Sequence, residues 1–341
     1  MSPRVPERNK KPGVCYAVTR DGLELPVVDV THPAFALRVS DAVLADLVAA
    51  FVRDEGRRAR LPIFLQRLFL HLVLRGSVLG RAVLAADGTY VTGLNTYFLK
   101  IGPDNLGGGY AKPIDRRIAA ALPPMAVRLR LQDMVRLLVD GLAPALAARP
   151  AAPLRLVNIA GGPAADSLNT LIVLRKQHPE WMVDRKISIE VLDGDDAGPE
   201  FGARSLAALR AEGAPLHGLH VDFERIPYDW RDANPLRMHL GVPDGETIVA
   251  ASSEGGLFEY GADDEIVANL EALAAGMPAD GVVVGSVTRA EGPAQHVKSS
   301  IRVATRPRTL DAFKALCRRA GWAVACALEA PFSYNVSLRK V

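Results

Sequence analysis

Residues 154–196 read LRLVNIAGGPAADSLNTLIVLRKQHPEWMVDRKISIEVLDGDD. An apolar run stops at Gly161-Gly162, a helical pattern follows, and a second apolar run ends on Asp193. Short apolar runs bounded by glycine predict strands, and the segment between them predicts a helix over 166–177. The order is strand, tight glycine turn, helix, strand, carboxylate. The helix N-terminus presents unpaired N–H groups and a partial positive charge, and an acidic side chain stands across the same crevice. Nucleotides commonly bind in crevices built this way.

The pattern continues downstream. Apolar or alternating runs lie at 155–160, 187–192, 219–223, 247–251 and 281–287. Helical patterns fit at 166–177, 202–212, 264–275 and 310–320. Such alternation implies a mostly parallel sheet covered by helices on both faces. The end breaks the repeat. Runs at 322–328 and 334–339 are separated only by residues 329–333. So short a link cannot make a parallel crossover, so this pair is expected to be antiparallel.

Upstream, residues 1–150 read as mainly helical, and residues 151–341 carry the strand–helix pattern. Ser40 is a plausible N-cap for a helix through Val52, and Pro62 opens a second helix to Leu74. Further helices are expected at 77–84, from Pro113, and over 131–146. A brief strand is expected at Tyr90-Val91, and 93–109 reads as loop. The basic start, residues 4–11, holds Pro6 and is expected to be a disordered tail. The junction 147–153 is short and apolar, so the two halves are expected to pack together.

The chain has 341 residues, 49% of them hydrophobic, which allows a sizeable core. Its 41 basic and 38 acidic side chains nearly cancel, and no basic stripe with interleaved aromatics stands out. A nucleic-acid partner is therefore not expected. Cys15, Cys317 and Cys326 form no CxxC pair and no metal spacing, which suits the reducing cytosol. No membrane span or signal-peptide pattern is seen, and the greasy stretch 61–80 is interrupted by Arg67, His71 and Arg75.

The pattern from about residue 150 to the end resembles the class I S-adenosylmethionine-dependent methyltransferases. The glycine motif of that family stands here as Val157-Asn158-Ile159-Ala160-Gly161-Gly162-Pro163. It departs from the usual form: Asn158 replaces the leading acid, and the glycines are adjacent. The resemblance implies an α/β, Rossmann-like seven-stranded sheet with an antiparallel last strand. A mainly helical N-terminal domain would serve as a cap or dimerisation element. The implied cofactor is S-adenosylmethionine, with S-adenosylhomocysteine as product. By the same resemblance, Ala160, Gly161 and Gly162 lie beside its methionine portion, and Asp193 takes the ribose hydroxyls. A carboxylate suits a cis-diol because it accepts two charge-assisted hydrogen bonds. Asp195 or Asp196 takes that role if the strand ends early. Tyr228 and Asp229 are placed at the adenine, with Trp230 as an alternative stacking ring. Ser252 ends the fourth strand on the crevice side.

The Asn/Asp-Pro-Pro-aromatic motif of the adenine and glutamine-amide methylating relatives is missing after the fourth strand. Metal-dependent relatives carry acids where this chain has Ser252-Ser253 and Ser286-Val287. Methyl transfer needs alignment and exclusion of water, and a hydroxyl or ammonium nucleophile must also lose a proton to a base. His296, His239 and Glu254 are the candidates for that base. Tyr97, Tyr110, Arg116 and Phe258 are the candidates for a substrate wall. The expected activity is methylation of a small-molecule acceptor, foremost a hydroxyl oxygen in secondary metabolism, by a protein that forms a homodimer. Two other readings stay open. An NAD(P)-dependent oxidoreductase would use the same early layout, although full GxGxxG spacing is absent. The altered glycine motif also suits a non-catalytic scaffold on a methyltransferase fold.

Overall fold

The computed structural model describes residues 4–58, 74, 76–84, 91–107, 112–293 and 304–341. The second half builds one sheet from β3 (Leu154–Ile159), β4 (Ile187–Asp193), β5 (Val221–Pro227), β6 (Ile248–Ser253), β7 (Val282–Thr288), β8 (Trp322–Glu329) and β9 (Ser333–Lys340). Their order is β5-β4-β3-β6-β7-β9-β8. The pairs β4–β5, β3–β4, β3–β6 and β6–β7 are parallel, while β7–β9 and β8–β9 are antiparallel. This is the Rossmann-like methyltransferase sheet that the sequence pattern predicts, with β9 inserted between β7 and β8. The central strands are mostly apolar because both faces are covered: every residue of β6 is buried. The chain reverses its strand order at β3, and ligands bind at such a switch point beyond the carboxyl ends of the strands.

The helices that follow the strands are α6 (Ala165–Gln177), α7 (Ala197–Leu209), α8 (Asn234–Leu240), α9 (Leu257–Tyr260), α10 (Asp263–Gly276) and α11 (Leu310–Arg319). Earlier in the chain lie α1 (Asp41–Arg58), α2 (Val78–Leu84), α3 (Gly93–Lys100), α4 (Pro113–Ala119) and α5 (Leu122–Ala148). In α5 the buried residues Leu131, Met134, Leu138 and Leu142 recur at helical spacing and face the sheet. At Gly141 this helix approaches so closely that a Cβ would come within 2.8 Å of Val282. One apolar core consequently runs from Leu131 and Leu138 to Leu156 and Val282, across residue 150. Among the described residues, no helix is long and apolar enough to cross a membrane.

Three expectations change. The basic start is not a loose tail where it is described: Val5 is buried and its N–H donates to Glu24 Oε2 at 2.8 Å. Glu24 belongs to a small hairpin of β1 (Tyr16–Val18) and β2 (Glu24–Pro26) that sequence periodicity did not show. The stretch read as loop from Gly93 begins with α3, whose N-cap Thr92 accepts from the Asn95 N–H. The expected helix over 62–74 falls, all but Leu74, outside the described residues, as does Tyr90 of the expected brief strand; Val91 is not in a strand.

Candidate functional site

The turn after β3 is unusual backbone. Ala160, Gly162 and Ala164 all have positive φ, near 50°. For the two alanines this conformation costs roughly 1–2 kcal/mol each, so surrounding structure must hold it. It is held by close packing at Gly162. A Cβ on Gly162 would come 2.5 Å from the Gly93 Cα, and one on Gly198 would come 2.8 Å from the Gly162 Cα. The start of α3, the turn and the first residues of α7 therefore meet at three glycines.

Asp193 ends β4 and is 9% exposed. Its Oδ2 accepts the Gly162 N–H at 2.9 Å and its Oδ1 accepts the Asp195 N–H at 2.9 Å. The carboxylate thus ties the end of β4 to the glycine turn, and each oxygen keeps a further lone pair. Burial pushes its pKa above the usual carboxylate range, and the two N–H groups pull it back in part. Beneath the turn, Asn158 Nδ2 donates to Asp166 Oδ1 at 2.7 Å and to Ser252 Oγ at 3.0 Å. Asp166 is fully buried. Desolvation first, and then the charge of Glu254, raise its pKa.

A cavity of about 510 Å³ opens at this edge. Ala160, Asp193, Gly194 and Asp195 line one part of it, and Tyr228, Asp229, Trp230 and Arg231 another. Val91, Thr92 and Gly93 come from before α3, Gly255, Gly256 and Tyr260 from after β6, and Glu265, Ala304 and Arg306 complete the lining. Its size lies within the range of small-molecule sites. Tyr228 donates its hydroxyl to Asn269 Oδ1 at 2.5 Å, which fixes that ring against α10.

Behind Gly255 lies a buried ionic cluster. Glu254 Oε2 pairs with Lys100 Nζ at 2.5 Å, and its Oε1 pairs with Arg130 Nε at 3.2 Å. Arg130 Nη1 reaches Glu259 Oε1 at 2.7 Å. Ser286 Oγ donates to the same Glu259 oxygen at 3.1 Å and accepts the Gly255 N–H at 3.0 Å. Burial alone would raise the Glu254 pKa, but Lys100 and Arg130 outweigh it and hold the carboxyl below its ordinary value. Glu254 is therefore occupied on both oxygens by cations, which is the wrong state for a base awaiting a proton.

Of the residues expected at the site, Ala160, Asp193, Tyr228 and Asp229 line the cavity. Gly161 and Gly162 shape the turn behind it, and Ser252 sits beneath, bonded to Asn158. Others lie elsewhere. Tyr97 is a core residue: its hydroxyl donates to the Pro26 carbonyl at 2.9 Å and accepts the Val28 N–H at 2.8 Å, and its ring meets Phe201 edge-on. Phe258 is buried against Phe313. Arg116 reaches the Pro103 carbonyl at 3.4 Å from an exposed position. His239 Nε2 lies 2.7 Å from Glu190 Oε2, at the middle of β4 rather than at its carboxyl end. None of these four lines the cavity. His296 and Tyr110 lie outside the described residues. Sequence reasoning missed Arg231, Glu265, Ala304 and Arg306 as lining residues.

No family model matches the chain, and no curated protein does. Among solved structures, a possible exported protein from Bordetella parapertussis superposes with a TM-score of 0.56 at 19% identity, over 89% of this chain and 99% of that one. A mitomycin 7-O-methyltransferase aligns over 92% of this chain and 79% of its own, with 15% identity and a TM-score of 0.42. The magnesium protoporphyrin IX methyltransferase of Synechocystis PCC 6803, solved with bound S-adenosylhomocysteine, aligns over 65% and 89% at 12% identity, with a TM-score of 0.44. The first of these shares the overall fold. The other two fall below the similarity at which a fold can be argued, so the class rests on strand order: a Rossmann-like methyltransferase fold with a cavity at its switch point. Among the described residues, no group of three or more His, Cys, Asp or Glu could hold a metal ion.

Proposed function

We propose that this chain transfers a methyl group from S-adenosylmethionine to the hydroxyl oxygen of a small-molecule acceptor, with S-adenosylhomocysteine as the leaving group and the hydroxyl proton passing to solvent. The observation that carries the reading is the buried Asp193 carboxylate at the end of β4, sharing one cavity with the left-handed Ala160 turn at the switch point of this sheet. Asp193 would accept from the two ribose hydroxyls through its remaining lone pairs. Tyr228 and Trp230 supply ring faces for the adenine, and the Ala160 carbonyl is an acceptor for the methionine amino group. When bound, the cofactor supplies an electrophilic methyl carbon on a sulfonium.

Charge agrees with this reading. Asp193, Asp195, Asp229 and Glu265 line the cavity against Arg231 and Arg306, an excess of two negative charges. An acidic cavity favours a cationic sulfonium over an anionic dinucleotide. The chain's own contribution to rate is alignment of the acceptor with the methyl carbon and exclusion of water between the 91–93 and 255–256 walls.

Calorimetric titration of the purified, ligand-free protein with S-adenosylhomocysteine, with NADH as comparison, tests the reading. Saturable binding of S-adenosylhomocysteine alone is the expected result. Binding of NADH instead would favour the oxidoreductase, and binding of neither would favour a scaffold.

A further inference from the structure

The charged groups lining the cavity are not equally available. Asp193 accepts two backbone N–H groups. Asp195 Oδ1 accepts the Ala197 N–H at 3.1 Å. Glu265 Oε2 accepts the Ala262 N–H at 2.7 Å. Asp229 and Arg231 satisfy each other, with Nε 2.9 and 2.8 Å from the two carboxylate oxygens. Arg306 differs: among the described residues its guanidinium enters no ion pair and no hydrogen bond, while its backbone is fixed on both sides. Its N–H donates to the Glu259 carbonyl at 2.7 Å, and its carbonyl accepts from Arg308 Nη1 at 3.0 Å. Arg308 is itself buried, paired with Asp263 and bonded through its N–H to the Thr288 carbonyl at the end of β7. The segment is thus anchored to the core, and Arg306 lines the cavity from an exposed position.

We propose that Arg306 recognises a carboxylate carried by the methyl acceptor. This rests on the methyltransferase reading and narrows its substrate class to hydroxylated carboxylic acids. A guanidinium offers two parallel N–H donors that match a carboxylate. In a cavity with four acids, an anionic acceptor needs such a counter-charge to enter. Position separates the acceptor from the cofactor. Asp193 ends β4 and Tyr228 follows β5, on one side of β3, whereas the Arg306 segment is tied to α9 and β7 on the other.

Two probes that differ only by a carboxylate make the test: 1-hydroxy-2-naphthoate and 1-naphthol, titrated into the full chain saturated with S-adenosylhomocysteine. The wild type is expected to bind the acid at least ~10-fold more tightly, a value typical of one charge-assisted pair. Arg306→Ala should abolish the preference, Arg306→Lys should retain part of it, and S-adenosylhomocysteine affinity should stay within about twofold. A loss of S-adenosylhomocysteine affinity in Arg306→Ala would assign the arginine to the cofactor's own carboxylate and overturn the proposal. Equal affinity of the wild type for both probes, or no binding of either to the loaded protein, would also overturn it. Failure of the wild type to bind S-adenosylhomocysteine is a different result, and it removes the methyltransferase reading itself.

Discussion

Two ionic groups meet the same sheet edge, each pairing carboxylates with cations, and they differ in what water does. Lys100, Arg130, Glu254 and Glu259 are buried, and their side chains are at most 10% exposed. Asp229 and Arg231 are paired on the cavity rim with side chains 52% and 74% exposed. At the rim, solvent screens the pair, and such pairs contribute about 0–1 kcal/mol. In the buried cluster, neither partner can be removed without stranding a charge. The lesson is that Glu254 braces the wall at Gly255, while the rim pair stands open to solvent. The buried cluster also joins the N-terminal half to the sheet, because Lys100 ends α3 and Arg130 lies in α5.

The largest effect should come from breaking the buried side. Glu254→Gln leaves Lys100 without its counter-charge and should cost about 3–5 kcal/mol in urea unfolding, the usual penalty for halving a buried pair. Lys100→Met in the same chain should recover part of that loss. Because the Glu254 pKa is lowered in the folded state, its contribution is present above the ordinary glutamate pKa and fades as pH falls through the folded value. The mutational deficit should shrink in acid accordingly. A deficit independent of pH would show that Glu254 acts by packing alone.

Asp193 stands between the two regions, since it braces the glycine turn and also faces the cavity. Asp193→Asn keeps one acceptor oxygen and removes the charge. It should weaken S-adenosylhomocysteine binding by about 1.5–3 kcal/mol, the worth of hydrogen bonds to a charged group. An unchanged affinity by calorimetry would make Asp193 a brace only, on the same footing as Glu254.

The smallest effect concerns Asp166, a buried acid with no cation bonded to it among the described residues. Its raised pKa means the folded state holds the proton more tightly than the unfolded chain does. Wild-type stability therefore drops as pH rises from the ordinary carboxylate range through the folded pKa. Asp166→Asn lacks that loss. It should be near neutral at about pH 4 and stabilising by about 1 kcal/mol at about pH 8, read by urea unfolding at both values. Destabilisation at the higher pH would show that the charged form is needed where it stands.

The strands were legible because buried parallel strands are continuous apolar runs. The run at 187–192 became Ile187–Asp193 and the run at 247–251 became Ile248–Ser253. The helix from Gly93 was not legible, because glycine, amide and aromatic residues carry no helical signature of their own. What holds it is the Thr92 cap and the contact with Gly162. Tyr97 read as a wall residue because an aromatic beside amides suits either a site or a core. Only its two backbone partners, more than sixty residues away in sequence, decide the matter.

By itself the sequence determined the alternation of strands and helices, the antiparallel close of the sheet, and the glycine turn and acid that face each other across β3 and β4. These follow from local periodicity and from conformations that few residues adopt. The tertiary structure decided which charges are spent on the fold and which remain for a ligand. That division depends on burial and on partners distant in the chain, such as Lys100 for Glu254 and Arg130 for Glu259. No local pattern encodes it, because a charge's energy is set by the solvent and counter-charges around it rather than by its neighbours in sequence.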